Sequence, residues 1–392
     1  MSEDFYERSL IVHRQLRGKL GIVSKLPIND RDALSLAYTP GVARPCEEIA
    51  KDKSLARSLT IKGNSVAVVS DGSAVLGLGN IGPEAAIPVM EGKAILFKEF
   101  ANIDAWPICL DTQDADAIVS TVRAIAPVFG GINLEDISAP RCFEIEERLQ
   151  DLGIPVFHDD QHGTAIVLLA ALINACKVTK RQMTSLRVVI NGAGAAGTAI
   201  AKLLRCINFD PRLCESVKEL VVCDSRGAIH AGRTDLNDSK KEILRFTNRS
   251  DRAGSLKEVL VGMDVFIGVS KANLLDGNDI QSMADDPIIF AMANPVPEIM
   301  PDLARDAGAA VVGTGRSDFP NQVNNLLAFP GIFRGALDAG ATQITDKMKL
   351  AAAIALAGST EDVSAEHVLP DPLDRHVAPL VAAAVQKAFR EQ

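Results

Sequence analysis

The feature that most limits what this chain can fold into is Gly192-Ala-Gly-Ala-Ala-Gly197 with its flanks. An apolar, strand-like run, Leu186-Arg-Val-Val-Ile190, leads into it. An uninterrupted amphipathic stretch, Thr198-Ala-Ile-Ala-Lys-Leu-Leu204, leads out. A glycine-rich turn between a strand and a helix opens a βαβ nucleotide-binding unit. There the backbone N–H groups of Gly192, Ala193, Gly194, Ala195, Ala196 and Gly197 can approach a pyrophosphate, whose charge the helix dipole favours. Beyond it, residues 220–223, 264–269, 288–292 and 309–312 read as short apolar strands with helices between them. That alternation predicts a parallel, doubly wound sheet.

A second match to the same spacing, Gly77-Leu-Gly-Asn-Ile-Gly82, lacks this context. Residues 65–70 and 74–76 read as a hairpin around Asp71-Gly72, and the helical stretch after them carries Pro88 and Gly92 as interruptions. It is therefore read as a structural turn. Asp224 ends the strand after the phosphate loop, where an acidic residue takes the ribose hydroxyls of NAD. An insertion over 208–218 lengthens the usual spacing, and Arg226 is placed to hold a 2′-phosphate instead. The pair leaves NAD and NADP both open.

The N-terminal part alternates as well. Residues 106–110, 131–134 and 154–157 read as strands, and 4–18, 83–100, 115–126 and 142–152 as helices. An apolar helix over 163–178 looks like a connector, followed by the sheet and Ala-rich helices over 335–357 and 378–390. The fold class is α/β: an N-terminal α/β domain (1–160), then a doubly wound Rossmann-type NAD(P)-binding domain (161–392) with C-terminal helices. With 50 acidic and 41 basic residues the net charge is -9, which argues against nucleic acid as a partner. The acidic N-terminus shows no secretory signal, and no apolar run approaches a membrane span, so no membrane partner is expected. The seven cysteines include no C-x-x-C pair and are expected as buried free thiols in a reducing cytoplasm.

Chemistry concentrates in Phe157-His-Asp-Asp-Gln-His-Gly-Thr164. One cap needs one short polar side chain, and two adjacent aspartates between two histidines exceed that. A second acidic pair, Glu135-Asp136, follows Gly130-Gly-Ile-Asn-Leu134. Two acidic pairs near a nucleotide loop suggest a hard divalent cation and redox chemistry in one cleft. Tyr38, before the Pro40-Gly41 turn, and Lys93, in an apolar stretch, could each be ordinary packing residues when taken singly.

Together, Tyr38-Thr-Pro-Gly-Val-Ala, Met90-Glu-Gly-Lys-Ala, Leu134-Glu-Asp-Ile, Pro155-Val-Phe-His-Asp-Asp-Gln-His-Gly-Thr, Ala293-Asn-Pro, Gly313-Thr-Gly-Arg-Ser-Asp and Asn321-Gln-Val-Asn-Asn-Leu resemble the malic enzymes, in their short bacterial and archaeal form. The resemblance covers nearly the whole chain. It implies divalent-metal-dependent oxidative decarboxylation of L-malate to pyruvate and CO₂, with NAD or NADP as acceptor, by a cytoplasmic homodimer or higher homo-oligomer. It implies that Glu135, Asp136 and Asp160 bind Mg²⁺ or Mn²⁺, oxygen ligands being what hard cations take. Lys93 would remove the C2 hydroxyl proton, Asp159 would orient or tune Lys93, and Tyr38 would protonate the enol at C3. Asn294, Asn324 and Asn325 would face the substrate carboxylate or the nicotinamide. The larger animal-type enzymes grip a malate carboxylate with an Arg where this chain has Ala74, so another group must do so here. The phosphotransacetylase-like domain of the long bacterial form is not expected, since the chain stops at Gln392. A malolactic-type enzyme releasing lactate and an amino-acid-type dehydrogenase are the alternatives.

Overall fold

The computed structural model describes residues 3–209 and 214–391. Two parallel sheets organise it. The first has four strands in the order β2-β1-β3-β4: β1 Ser65–Ser70, β2 Asp104–Cys109, β3 Gly131–Leu134 and β4 Val156–His158. Alternate residues of β1 enter different cores. Val66 and Val68 pack with Met90 and Phe97 of the helix Pro83–Ala101. Ala67 and Val69 pack with Ile118, Val122 and Ile145 of the helices Ala115–Ile125 and Arg141–Leu149.

This corrects the hairpin reading. All of β1 is buried, because helices cover both faces of the sheet, and such a strand needs no polar alternation. It pairs in parallel with β2 and β3, and the residues after it return as a loop in which Ile81 and Gly82 N–H donate to the Gly72 carbonyl. The decoy glycine Gly77 lies in that loop, where a Cβ would stand 2.5 Å from the Asn294 carbonyl oxygen. The helix Pro83–Ala101 runs on through Pro88 and Gly92. Burial of Ala86, Met90, Ala94 and Phe97 along one face outweighs the one hydrogen bond that proline removes.

The second sheet has six strands in the order β10-β9-β8-β5-β6-β7: β5 Arg187–Asn191, β6 Glu219–Asp224, β7 Gly227–Ala228, β8 Val265–Gly268, β9 Ile288–Ala291 and β10 Val311–Thr314. All pair in parallel except β7, a short antiparallel edge strand that sequence patterning did not reveal. The chain moves outward from β5 to β6 and then crosses to β8 on its other side. This reversal opens a crevice at the carboxyl ends of β5 and β8. The insertion expected over 208–218 includes residues 210–213, which lie outside the described residues.

The helix Asp159–Thr179 joins the two sheets. It starts at the end of β4, and its body packs on the helix Ala195–Leu204 of the second sheet. By length and apolarity it could cross a membrane, contrary to the sequence reading, but 67% of its apolar window is buried inside the protein. The Ala-rich region is two helices, Phe329–Ala339 and Asp346–Gly358, because Gly340 adopts a positive φ and ends the first. The last helix, Val377–Arg390, shares a core with both. Cys206 and Cys214 form a disulfide, so the expectation of free thiols holds only for the other five cysteines, of which Cys142, Cys176 and Cys223 are buried.

Candidate active site

Three neighbouring parallel strands end on acidic residues. β1 delivers Asp71, β3 delivers Glu135 and Asp136, and β4 delivers Asp159 and Asp160. Parallel strands aim all their carboxyl ends at one edge, so acidic pairs distant in sequence meet there. The Glu135 N–H still donates to the Val69 carbonyl, which sets its depth beside β1.

Lys93 reaches this edge from the helix Pro83–Ala101. Its Nζ lies 2.6 Å from Asp159 Oδ2 and 2.8 Å from Glu135 Oε1, and also 4.4 Å from the centre of the Phe329 ring. Lys93 is only 7% exposed and Asp159 not at all. Asn133 Nδ2 donates to Glu135 Oε2, and the Asp136 N–H donates to Asp160 Oδ2. Asp136 has a positive φ of 54°, a costly backbone for a non-glycine residue that turns it toward Asp160. At Gly163, one turn into the connecting helix, any Cβ would collide with the Asp159 carboxylate.

One ligand atom from each of Glu135, Asp136 and Asp160 lies within 4.8 Å of the other two. Among the described residues Asp136 Oδ2 is buried without a hydrogen-bond partner. Burial, with Asp160 and Glu135 adding to it, pushes the Asp136 carboxyl up to about 9. Burial likewise raises Glu135, Asp159 and Asp160 above the usual carboxylate range, although Lys93 opposes it in each. Three crowded oxygen donors short of positive charge fit a hard divalent cation. Burial alone would lower the Lys93 pKa, but Asp159, Glu135 and Asp160 outweigh it and the net shift is upward.

On the nucleotide side, Gly192 N–H bonds to the Cys223 carbonyl, and the helix Ala195–Leu204 begins without a side-chain cap. Its first N–H groups are left to face a ligand at the crevice. Asp224 is heavily engaged. Arg233 holds both its oxygens at 2.8 and 2.9 Å, Lys240 adds a contact at 2.7 Å, and the Arg226 N–H donates to Oδ1. The Arg226 side chain is 70% exposed and pairs with Asp235. Arg233 and Lys240 escaped the sequence reading because they lie 9 and 16 residues beyond Asp224, with no periodic signal.

Asn294 and Asn324 line one small cavity of about 270 Å³ with Arg316, Gln322 and Tyr6. Asn324 also caps the turn Asn325–Leu327, where its side chain accepts from the Leu326 N–H. The Cβ of Asn325 comes within 3.1 Å of where a Cβ on Gly163 would sit, placing Asn325 against the Asp159 turn. Tyr38 is not brought to the buried cluster. It follows the helix Arg31–Ala37, which has no buried residue, and is itself 68% exposed. Beside Ala74, the loop holds a cation from elsewhere. Arg141 Nη2 lies 2.6 Å from Asp71 Oδ2 and 2.9 Å from Ser73 Oγ.

Comparison with known proteins bears on this geometry. Residues 17–150 match the family described as malic enzyme, N-terminal domain, and residues 161–389 match malic enzyme, NAD binding domain. A bifunctional malic/malolactic enzyme of Bacillus subtilis is 59% identical over 98% of this chain and 93% of its own length. An NADP-dependent malic enzyme of Halomonas elongata is 45% identical over 96% of this chain and 91% of its own. The crystal structure of an NAD-dependent malic enzyme from Thermotoga maritima superposes with a TM-score of 0.91 at 50% identity, covering 96% of this chain and 98% of that one.

Proposed function

The chain belongs to the malic enzyme family, and from that premise we infer that it converts L-malate to pyruvate and CO₂ while reducing NAD or NADP. The observation that carries this reading is the buried contact of Lys93 with Asp159 and Glu135, beside the Glu135, Asp136 and Asp160 donor set. An amino-acid-type dehydrogenase would leave that donor set without a purpose.

Glu135, Asp136 and Asp160 would hold Mg²⁺ or Mn²⁺. When bound, such a cation supplies Lewis acidity toward the substrate's C2 oxygen and neutralises the carboxylates. The remaining work falls to the chain's own groups. Lys93 accepts the C2 hydroxyl proton once it is neutral, and Asp159, within 2.6 Å, is placed to take the proton that Lys93 must first give up. A carboxyl raised by burial holds a proton more readily, which suits that exchange. Tyr38 donates the proton to C3, and Asn294, Asn324 and Asn325 orient the substrate and nicotinamide. The phosphate loop 192–197 binds the pyrophosphate. Arg226 has the freedom to meet a 2′-phosphate, and Asp224 takes the adenosine ribose.

The division of labour follows the two sheets. Residues 1–160 carry the metal and catalytic groups and part of the substrate site, and 161–392 form the dinucleotide domain with its helical tail and add Asn294, Asn324 and Asn325 to that site. Assembly into a homodimer or larger homo-oligomer is supported by exposed apolar residues along the N-terminal segment, among them Leu10, Ile22, Val23, Leu36 and Tyr38. A second copy on this face would enclose Tyr38, and its role as proton donor rests on that assembly. We place the enzyme in the cytoplasm, in keeping with its five free thiols, with the Cys206–Cys214 disulfide standing against that placement.

Absorbance at the nicotinamide band, with malate, Mn²⁺ and each dinucleotide in turn, tests the assignment together with pyruvate detection. A malolactic outcome is the second reading, favoured by the Bacillus subtilis relative. It requires lactate as product with no net dinucleotide reduction.

A further inference from the structure

The turn that carries Asp159 and Asp160 has an unusual support. The helix Asp159–Thr179 starts at His158 with no side-chain cap of its own, although its first residues hold two carboxylates, Asp159 buried and Asp160 half-buried, in a like-charged cluster. The support comes from Glu146, on the helix Arg141–Leu149 of the first sheet. Its Oε1 accepts from the His158 backbone N–H at 3.1 Å and from His162 Nε2 at 2.9 Å. Its Oε2 accepts from Gln161 Nε2 at 3.1 Å. Residues 158, 161 and 162 share one face of a helical turn, and Asp159 and Asp160 project from the others. One carboxylate therefore grips the turn on both sides of the two working aspartates. Lys349 Nζ, 3.4 Å from His162 Nε2, supplies a positive charge at the outer end, where Asp346 in turn pairs with it at 3.2 Å. Glu146 faces a cavity of about 1100 Å³ that Lys93, Glu135, Asp136, Asp159 and Asp160 do not line.

We propose that Glu146 is a positioning residue that fixes Asp160 for the divalent cation and Asp159 for Lys93. The proposal rests on the metal reading above. The physical reason is the repulsion among Glu135, Asp136 and Asp160, which would spread the ligands apart unless the backbone carrying Asp160 is clamped. Gly163 leaves the turn no side chain of its own to brace against this site, and an outer carboxylate does so instead.

Mn²⁺ binding to the dinucleotide-free protein, followed by the paramagnetic resonance of free Mn²⁺, reads the effect without catalysis. Glu146→Gln keeps the size but exchanges one acceptor oxygen for a donor amide. It should weaken Mn²⁺ binding about 10- to 100-fold, with dinucleotide affinity by calorimetry unchanged. Gln161→Ala removes a single grip and should show a smaller loss in the same direction, which keeps the test decisive if Glu146→Gln does not fold. Mn²⁺ affinity within twofold of wild type in either folded variant overturns the proposal. Equal losses of Mn²⁺ and dinucleotide affinity also overturn it, since they would mark general structural damage. If the wild-type protein itself binds no Mn²⁺, the metal reading fails first and takes the proposal with it.

Discussion

Lys93 and Asp159 are 66 residues apart in the chain, yet their Nζ and Oδ2 atoms meet at 2.6 Å with both side chains buried. A charge this deep is tolerated only because its partner is there, and each helix that delivers one of them is packed into the core that the two sheets share. The contact makes the two side chains a single buried unit.

Replacing either member should therefore be costly in two ways. Lys93→Ala should lower kcat for malate oxidation by about 10²- to 10⁴-fold, with partial recovery on adding small primary amines. It should also destabilise the fold by about 3–5 kcal/mol in denaturant titration, because Asp159 is left buried and unpaired. Wild-type turnover in Lys93→Ala would remove the base assignment.

Chelation should stop turnover, and Mg²⁺ or Mn²⁺ should restore it. Asp160→Asn takes away one charged donor and should raise the metal concentration for half-maximal rate by at least about tenfold. Full activity in a thoroughly chelated sample would show that the acidic triad serves structure alone.

Tyr38→Phe should slow the protonation of the enol selectively. Pyruvate formation from added oxaloacetate should stay impaired in this variant while dinucleotide binding is normal. Because Tyr38 is exposed in the single chain, sedimentation of the same sample should show a homo-oligomer. A monomer with full activity would remove both the general-acid role and the assembly.

Cofactor choice should follow the charges around Asp224. Arg233 and Lys240 already neutralise it, so its repulsion of a 2′-phosphate is weakened and both dinucleotides should be used. Arg226→Ala should raise KM for NADP several-fold more than for NAD. Equal changes for the two would show that Arg226 does not meet the ribose.

The same cluster predicts a pH effect on stability. Burial alone would raise the Asp224 carboxyl, but Arg233, Lys240 and the Arg226 N–H bring it down to about 2, below its ordinary value of 3.8. A depressed carboxyl binds fewer protons folded than unfolded. Its contribution is complete above the unfolded value and is lost as pH falls from there through about 2. Asp224→Asn should be less stable than wild type at neutral pH, and the difference should shrink below about pH 4. A gap that stays constant to pH 2 would contradict the ion-pair account.

Local pattern was enough for much of this protein. Gly192 to Gly197 could be recognised because a strand, a turn and a helix are each written in neighbouring residues, and the acidic pairs at 135–136 and 159–160 stood out from the caps and turns that usually explain such residues. The family motifs then assigned chemistry to Lys93 and Tyr38. Local pattern misled where burial on two faces erased alternation, as in Ser65–Ser70, and where a buried face carried a helix through Pro88. Tertiary structure alone decided which charges meet. It set Lys93 against both Asp159 and Glu135, gave Asp224 to Arg233 and Lys240, and brought Glu146 to the turn at 158–162. These pairings come from parallel strands and covering helices that converge on one edge from distant parts of the chain. Their energies depend on depth and distance in three dimensions, which no spacing along the sequence encodes.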